Sequence, residues 1–492
     1  MSGLLPQLPA PQRRTTDPFT LGLASGDPAP DGVVLWTRLA PRPGAEDGLG
    51  GMAGRPAVVD WEIAEDERFT RVVGRGSETA VPELAYSVHA EPTGLRAGRE
   101  YFYRFRSDGH LSPVARTRTA PTAGAAVPAL TVAAASCAKF GAGHFTAYRA
   151  LAADEPDLVL HLGDYIYETD EGEVRDPGGP EPTDLAGYRR THAHQKTDED
   201  LQAAHAVGPW LVVWDDHELV NNWAGGDRGR DPDRRRAAFQ AYYEHMPLRR
   251  ASVPRGLDLQ LYRRVHWGSL ASFHMLDTRQ YRGGDSITGA EQERWLLDGF
   301  RSSTAGWDVL GQQVFFAQRS GGRKSGDSWA AYPRSWERIV RGWTDAGVRN
   351  AVVLTGDEHV HHANEILTGD GARPVGVELV TTSVTSGGDG SGDGSDAGGG
   401  ENPHIRYRED RRGYLLTRFE PTALRAEFRV VERVSSPGAA EVSRSRPAVP
   451  RDRRAGRPAR RRRSAPGTPP PNRAVPHRRP PACSTGAPDA PR

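Results

Sequence analysis

Several features that define other protein classes are missing from this chain of 492 residues. Only two cysteines occur, which excludes a disulfide-rich scaffold. No run of about 18 apolar residues is found, so we expect no membrane-spanning helix. The first residues lack the apolar stretch of a signal peptide, and we therefore expect no export signal within this chain. Neither a G-x-S-x-G elbow nor a Gly-Lys-Ser/Thr phosphate loop is present, which disfavours serine acyl chemistry and nucleotide hydrolysis.

Charge is divided unevenly, although the whole chain carries 64 basic and 63 acidic residues. Residues 435–492 contain 14 arginines against three acidic residues, which leaves an acidic body before them. Because an acidic surface repels phosphate backbones, we expect no stable nucleic-acid partner. The tail is rich in Arg and Pro without aliphatic periodicity, which predicts disorder. It is either a polybasic surface-binding segment or sequence read out of frame.

The remaining chain divides into two regions of different pattern. Short alternating runs at 33–39, 57–64, 86–91 and 100–106 predict an immunoglobulin- or fibronectin-like β-sandwich over residues 19–120. We expect residues 1–18 to be unstructured and residues 121–128 to form a linker. From 129 to 434, apolar runs alternate with helical stretches, and Thr288 begins a capping box. This pattern predicts a layered α/β or α+β domain, with buried strands at 130–136, 158–162, 210–214, 351–354, 375–384, 414–419 and 423–434.

Four of the predicted buried strands are followed at once by polar side chains. In open α/β sheets, functional sites form beyond the carboxyl ends of the strands. Carboxylates suit hard cations such as Ca²⁺, Mg²⁺ or Fe³⁺, whereas thiolate, phenolate and imidazole suit a transition metal. A two-metal centre of this kind activates water and holds a phosphoryl group. The four clusters are Ser136-Cys137-Ala138-Lys139, Gly163-Asp164-Tyr165-Ile166-Tyr167-Glu168, Asp215-Asp216-His217-Glu218 with Asn221-Asn222, and Gly356-Asp357-Glu358-His359-Val360-His361-His362.

Each cluster also has a purely structural interpretation. Asp164 could belong to an ordinary turn, and Cys137 could be a small buried apolar residue. Asp215 and Asp216 could cap a helix, while Asn221 and Asn222 could cap a loop. His361 and His362 could face solvent. Four such clusters at four strand ends nevertheless favour a metal site.

The same residues resemble the alkaline phosphatase D (PhoD-like) family of calcineurin-like, purple-acid-phosphatase-like metallophosphoesterases. The resemblance covers about residues 19–434. It rests on FTLGLASGDPAPDGVVLWTRLAP at 19–41, similar to the start of the family's N-terminal domain, and on the blocks GDYIYE, WDDHE and GDEH. It implies a metallophosphoesterase-type β-sandwich flanked by helices, with a smaller all-β domain before it.

The resemblance also implies a mixed centre of Fe³⁺ and Ca²⁺, although other divalent metals remain open. Iron would be held by Cys137, Asp164, Tyr167 and His359. Asp164 would bridge to calcium, with Asp216 and Asp357 as further ligands. His217 would protonate the leaving group or contact the phosphate, and Asn221 and Asn222 would lie near the phosphate.

These implications predict an enzyme that hydrolyses phosphate monoesters and diesters by attack of metal-activated water. One alternative is a phosphodiesterase, similar to phospholipase D, acting on phospholipids or teichoic-acid-type polymers. A more distant alternative is a non-catalytic cell-surface binding protein. The resemblance further implies a secreted or cell-envelope protein, and we expect a monomer.

Overall fold

The computed structural model of the protein describes residues 16–225, 231–319, 326–348, 350–392, 401–438, 441–444 and 448–450. Its helices are α1 Thr146–Ala153, α2 Leu185–Gln195, α3 Glu199–Ala206, α4 Pro232–His245, α5 Gly289–Ser302 and α6 Pro333–Ala346. Its strands are β1 Leu23–Ala29, β2 Gly32–Arg38, β3 Ala57–Ala64, β4 Val72–Ala80, β5 Ser87–Ala90, β6 Glu100–Ser107, β7 His110–Leu111, β8 Ala115–Arg118, β9 Leu130–Ala135, β10 Leu158–Leu162, β11 Pro209–Val213, β12 Arg263–Trp267, β13 Ala271–Met275, β14 Trp307–Gln312, β15 Ala351–Thr355, β16 His361–Leu367, β17 Pro374–Val380, β18 Ile405–Glu409, β19 Gly413–Phe419, β20 Ala423–Val431, β21 Glu441–Arg444 and β22 Ala448–Pro450.

Two large mixed sheets face each other and form the centre of the molecule. The first has the order β21-β20-β19-β9-β10-β11-β1-β2-β5, with β22 also paired to β20. The second has the order β12-β13-β14-β15-β17-β16-β18. Apolar side chains of β9–β11 in the first sheet share one core with those of β13–β15 in the second. Since both faces of these strands are covered, their sequences are almost continuously apolar.

Helices cover the outer faces of the two sheets. Helices α1 to α4 pack on the first sheet, and α5 and α6 pack on the second. Asp184, Asp198 and Asp231 begin α2, α3 and α4, and each accepts a hydrogen bond from a first-turn backbone N–H. The predicted layered, sheet-rich fold is therefore confirmed. Among the described residues, no helix combines the length and apolar character needed to cross a membrane.

The N-terminal region is joined to the rest more closely than a separate sandwich would be. Strands β3, β4, β6, β7 and β8 form a five-stranded sheet of their own. Strands β1, β2 and β5 instead extend the first large sheet, and β1 pairs in parallel with β11 at Ser25–Pro209 and Gly26–Trp210. The small sheet packs against these three strands through a shared apolar core. An immunoglobulin-like form and domain boundaries at 120 and 129 stay predictions.

The structure departs from the predicted elements at three places. Thr288 precedes α5, but its side chain makes no capping hydrogen bond, so the predicted capping box is not formed. The strands predicted to run to 384 and 434 end at Val380 and Val431, because the chain turns there into loops. Part of the tail predicted to be disordered forms β21 and β22, whose backbones pair with β20. The rest of that tail, and residues 1–15, lie outside the described residues.

Candidate metal centre

The four predicted clusters meet where the two large sheets come together. Strands β9, β10 and β11 run parallel, so their carboxyl ends lie along one edge of the first sheet. Gly163 lets the chain after β10 approach the chain after β11 closely, because a Cβ at residue 163 would lie 2.4 Å from the Cβ of Asp215. Gly356, after β15 of the second sheet, allows an equally close approach, with a Cβ there 2.9 Å from the Cβ of Ser136. Two glycines thus bring the strand ends within side-chain reach of each other.

The backbone is strained at the residues that carry the site. Five residues adopt the left-handed conformation with positive φ, which is uncommon for residues other than glycine. They are Cys137 (59°), Asp164 (55°), Asn222 (58°), Asp357 (60°) and His359 (53°). Such conformations each cost about 1–3 kcal/mol and persist only where the surrounding structure imposes them. Cys137, Asp164, Asp357 and His359 are therefore held by their surroundings in a conformation that the chain does not favour by itself.

One group of ligand atoms combines sulfur, oxygen and nitrogen. Cys137, Asp164 and His359 each offer one ligand atom, and these atoms all lie within 4.8 Å of one another. The hydroxyl of Tyr167 lies 3.0 Å from Oδ2 of Asp164 and 3.2 Å from Nε2 of His359. Cys137 and Asp164 are each about 1% exposed. Thiol, phenol and imidazole in one buried group are the donor set of a transition metal.

Two further groups consist mainly of carboxylates. Asp164, Asp216 and His217 form one, and Asp215, Asp216 and Asp357 form the other, each with ligand atoms within 4.8 Å. Asp164 therefore belongs to the sulfur-containing group and to a carboxylate group at once. Oxygen donors in this number suit a hard cation. The arrangement can accommodate two cations that share Asp164.

The electrostatics of these carboxylates fit a bound cation. Burial, together with the charges of neighbouring carboxylates, raises the pKa of Asp164 well above its ordinary value. Burial likewise raises the pKa values of Asp215 and Asp357. In addition, Oδ2 of Asp215 is buried without a hydrogen-bond partner among the described residues. Like charges this close are unfavourable unless cations compensate them. Arg279 compensates Asp215 and Asp216 in part and lowers the pKa of Asp216, and the remaining charge and donor atoms suit metal ions.

His217 is the partly exposed member of the group that it forms with Asp164 and Asp216. Its Nδ1 is 2.7 Å from Oε2 of Glu168, and its ring stacks on that of Tyr167 with centroids 4.1 Å apart. Burial alone would lower the pKa of His217, but the hydrogen bond to Glu168 and the charge of Asp216 outweigh it and raise that pKa. The imidazole is thus held in one orientation and its protonated form is stabilised.

The two asparagines that we predict near the phosphate hold carboxylates of the site with their backbone N–H groups. The N–H of Asn221 donates to Oε1 of Glu168 at 2.7 Å, and the N–H of Asn222 donates to Oδ2 of Asp216 at 2.5 Å. Both side chains are exposed. Any contact of these side chains with phosphate stays a prediction. The alternative that His361 and His362 face solvent is wrong, because both lie buried in β16.

Two further residues organise the site: Arg279, which the sequence analysis does not single out, and Glu218, which it places in the third polar cluster without a role. Arg279 is fully buried, and its guanidinium reaches Oδ1 of Asp215 at 2.5 Å and Oδ1 of Asp216 at 3.2 Å. Glu218 accepts hydrogen bonds from the backbone N–H groups of Asp164, Tyr165 and Asp215 and so ties two strand ends together. Arg279 follows β13 by a few residues. A polar segment after a fifth strand is the sequence signal for Arg279, but the sequence of β13 does not predict a strand there.

Comparison with known proteins agrees with this geometry. Residues 131–428 match the PhoD-like phosphatase family, and residues 6–121 match the N-terminal domain of PhoD-like phosphatases. Alkaline phosphatase D of Bacillus subtilis (strain 168) is 44% identical over 469 residues, which cover 87% of this chain and 80% of that protein. The chain belongs to the PhoD-like phosphatase family. As a member, it is a metal-dependent phosphoesterase, and the predicted family and enzyme class are confirmed.

Solved structures of PhoD-like and related phosphatases agree with the fold. A structure of PhoD superposes with a TM-score of 0.85 at 44% identity, over 90% of this chain and 92% of that one. The purple acid phosphatase PPD1 from yellow lupin seeds superposes with a TM-score of 0.55 at 13% identity, over 88% of this chain and 74% of that one. The second likeness concerns the fold alone. The likeness to PhoD agrees with the family assignment, and both likenesses agree with the arrangement of two facing sheets.

Proposed function

We propose that this protein hydrolyses phosphate monoesters, releasing inorganic phosphate, and also accepts diesters. The observation that supports the proposal is the sharing of Asp164 between the sulfur-containing group and a carboxylate group. A carboxylate between two cation sites is what a two-metal phosphoesterase requires. The deep burial of Asp164 adds support, since an isolated carboxylate would be costly there.

The ligands divide according to the chemistry of their donor atoms. In the proposal, Fe³⁺ is held by Cys137, Asp164, Tyr167 and His359. Ca²⁺ is held by Asp164, Asp216 and Asp357, which offer oxygen atoms only. When bound, such cations would neutralise phosphoryl oxygens and lower the pKa of the attacking water.

In the proposal, His217 donates a proton to the oxygen of the leaving group. Glu168 occupies Nδ1 of His217, which leaves Nε2 as the donor to the leaving oxygen. The raised pKa of His217 keeps the imidazole protonated to higher pH, as a general acid requires. Asn222 holds Asp216 through its backbone N–H, so the carboxylate stays oriented while the proton moves. The same reasoning applies to monoesters and diesters, because both lose an oxygen leaving group.

Two other functions make different predictions. A diesterase acting on phospholipids or teichoic-acid-type polymers would cleave diesters faster than monoesters. A non-catalytic cell-surface protein would cleave neither, but the full set of donor residues in one place disfavours that function. Secretion or placement in the cell envelope, and a monomeric state, are further predictions from the family resemblance.

The first experiment replaces the shared carboxylate. Asp164→Asn should abolish hydrolysis of a chromogenic monoester and its diester, and should deplete both metals, because one residue serves both sites. Assays at alkaline pH with added Ca²⁺, with chelator and after metal restoration measure the activity, and elemental analysis measures the metals. Asp60→Asn is the matched control, since Asp60 is an exposed residue of β3. Full activity of Asp164→Asn would contradict the two-metal proposal, and the rate ratio of the two substrates distinguishes monoesterase from diesterase.

A further inference from the structure

Residues 382–386, which come shortly after β17, form hydrogen bonds to the backbone of residues at the metal centre. We call them the clamp segment. The N–H of Val384 donates to the carbonyl of Ser136 at 2.9 Å. The N–H groups of Thr385 and Ser386 both donate to the carbonyl of Cys137, at 3.4 and 3.2 Å. At its other end, the hydroxyl of Thr382 donates to the carbonyl of His359 at 3.0 Å. The clamp segment therefore bonds to both sides of the sulfur-containing group.

The two residues held in this way are strained. Cys137 and His359 have φ values of 59° and 53°. In this conformation the ligand atoms of both residues lie in the sulfur-containing group, but the conformation is unfavourable for residues with a Cβ. Hydrogen bonds to the carbonyls of these residues therefore stabilise a backbone that would otherwise relax. Their effectiveness depends on whether the clamp segment itself is fixed.

Arg412 fixes the clamp segment. It lies in the turn between β18 and β19 and is about 4% exposed. Its Nη1 donates to Oγ of Ser383 at 2.7 Å and to the carbonyl of Ser386 at 2.6 Å, while Nη2 donates to the carbonyl of Asp410. The next residue helps, because the N–H of Gly413 donates to the carbonyl of Ser383 at 3.0 Å. The guanidinium makes these bonds from two nitrogens held in one rigid plane, whereas the three donors of a lysine all lie on a single atom at the end of a flexible chain.

We propose that Arg412 is a positioning residue for the metal centre. Its hydrogen bonds within the described part of the chain go to Ser383, Ser386 and Asp410, to none of which we have assigned a metal or substrate contact. By fastening the clamp segment, it holds Cys137 and His359 in the strained backbone conformation that joins their ligand atoms. The inference rests on the proposed assignment of these two residues as metal ligands. It assigns a site function to a residue that lies more than 50 positions away from His359 in sequence.

The test compares Arg412→Met with wild type and with Arg411→Met. Arg411 lies in the same turn and pairs with Glu409, and among the described residues it makes no hydrogen bond to the clamp segment. Hydrogen exchange measures the amides of Val384 and Thr385 in metal-free and metal-loaded protein. Elemental analysis and visible absorption measure iron, and calcium content is measured in the same samples.

We expect Arg412→Met to speed exchange of these amides about tenfold or more. Iron affinity should fall by about 10–100-fold, which is the usual loss when a residue that orients a ligand is removed. The calcium content of Arg412→Met should stay near that of wild type. Arg412→Lys should recover part of the iron affinity. Arg411→Met should change neither the amide exchange nor the iron affinity. Ser383→Ala, which removes one acceptor of Arg412, should show a smaller effect of the same kind if Arg412→Met does not fold.

Unchanged exchange and unchanged iron content in Arg412→Met would overturn the inference. Faster exchange with full iron content would overturn it as well, because the clamp segment would then have no bearing on the ligands. Wild-type protein that binds no metal would contradict the proposed function instead. The exchange rates of the metal-free proteins would still decide whether Arg412 fastens the clamp segment.

Discussion

Oε2 of Glu168 lies 2.7 Å from Nδ1 of His217, which itself belongs to a carboxylate group with Asp164 and Asp216. The other oxygen of Glu168 accepts the N–H of Asn221 at 2.7 Å, so the carboxylate cannot rotate freely. The side chain of Glu168 is about 4% exposed and that of His217 about 19%. The pair therefore presents a fixed, partly accessible imidazole to the site.

Replacing Glu168 with Gln should lower turnover while leaving the metals bound. A neutral amide of the same shape keeps the packing but no longer stabilises a protonated imidazole. We expect kcat to fall by about tenfold or more, less than the loss of about 10²–10⁴ expected for His217→Ala. Steady-state kinetics with metal analysis of the same sample tests this. Loss of metal in either variant would indicate that the residue is a ligand rather than part of the proton donor.

Replacing Cys137 with Ser should weaken the iron site selectively. An alcohol is a harder and more weakly acidic donor than a thiol, so the sulfur-containing group would lose its preference for a transition metal. We expect iron content and any visible absorption band to fall, with calcium largely retained. Elemental analysis and absorption spectra measure both. An unchanged spectrum with full iron content would place the thiol outside the coordination sphere.

Stability should fall in mild acid because several histidines are buried in neutral form. Burial lowers the pKa of His89 to about 4 and those of His161 and His192 to about 3, against an ordinary value of 6.5. Below pH 6.5 the unfolded chain binds protons that the folded protein does not, so the free energy of unfolding falls as pH falls. Each such histidine contributes about 1.4 kcal/mol per pH unit in this range.

His192→Phe isolates the contribution of one histidine. Both ring nitrogens of His192 lack a hydrogen-bond partner among the described residues, so the replacement removes no described hydrogen bond. Urea unfolding of the variant and wild type at several pH values between about 5 and 7 gives the difference in proton uptake. We expect the variant to depend less steeply on pH. Equal slopes would show that His192 is protonated in the folded protein.

The buried strands at the centre of the fold could be predicted from the sequence, because they form short, continuous apolar runs. Strands β9, β10, β11 and β15 lie within one or two residues of the predicted positions. The residues predicted at their ends do come together, and Asp164 and Asp357 both have positive φ values there. The assignment of each residue to iron or calcium stays a prediction.

The contacts between distant segments could not be predicted in this way. The bonds from Arg279 to Asp215 and from Arg412 to Ser383 depend on which strands are neighbours, and a local pattern carries no such information. The polar residues Arg263, Arg264 and His266 interrupt β12, and Ser272 and His274 interrupt β13, so both strands lack a continuous apolar run. The pairing of β1 with β11 joins residues about 180 positions apart, which is why the N-terminal region was predicted to stand alone.

That pairing bears on how the two regions depend on each other. Without β1, one side of β11 would present free backbone N–H and C=O groups, and an exposed strand of this kind readily pairs with another molecule. Residues Trp36 and Arg38 of β2 also bond to the carbonyl of Glu244 and to the ring of His245, at the end of α4. The N-terminal strands thus cover this edge of β11, and we expect a protein lacking them to aggregate even with every metal ligand in place.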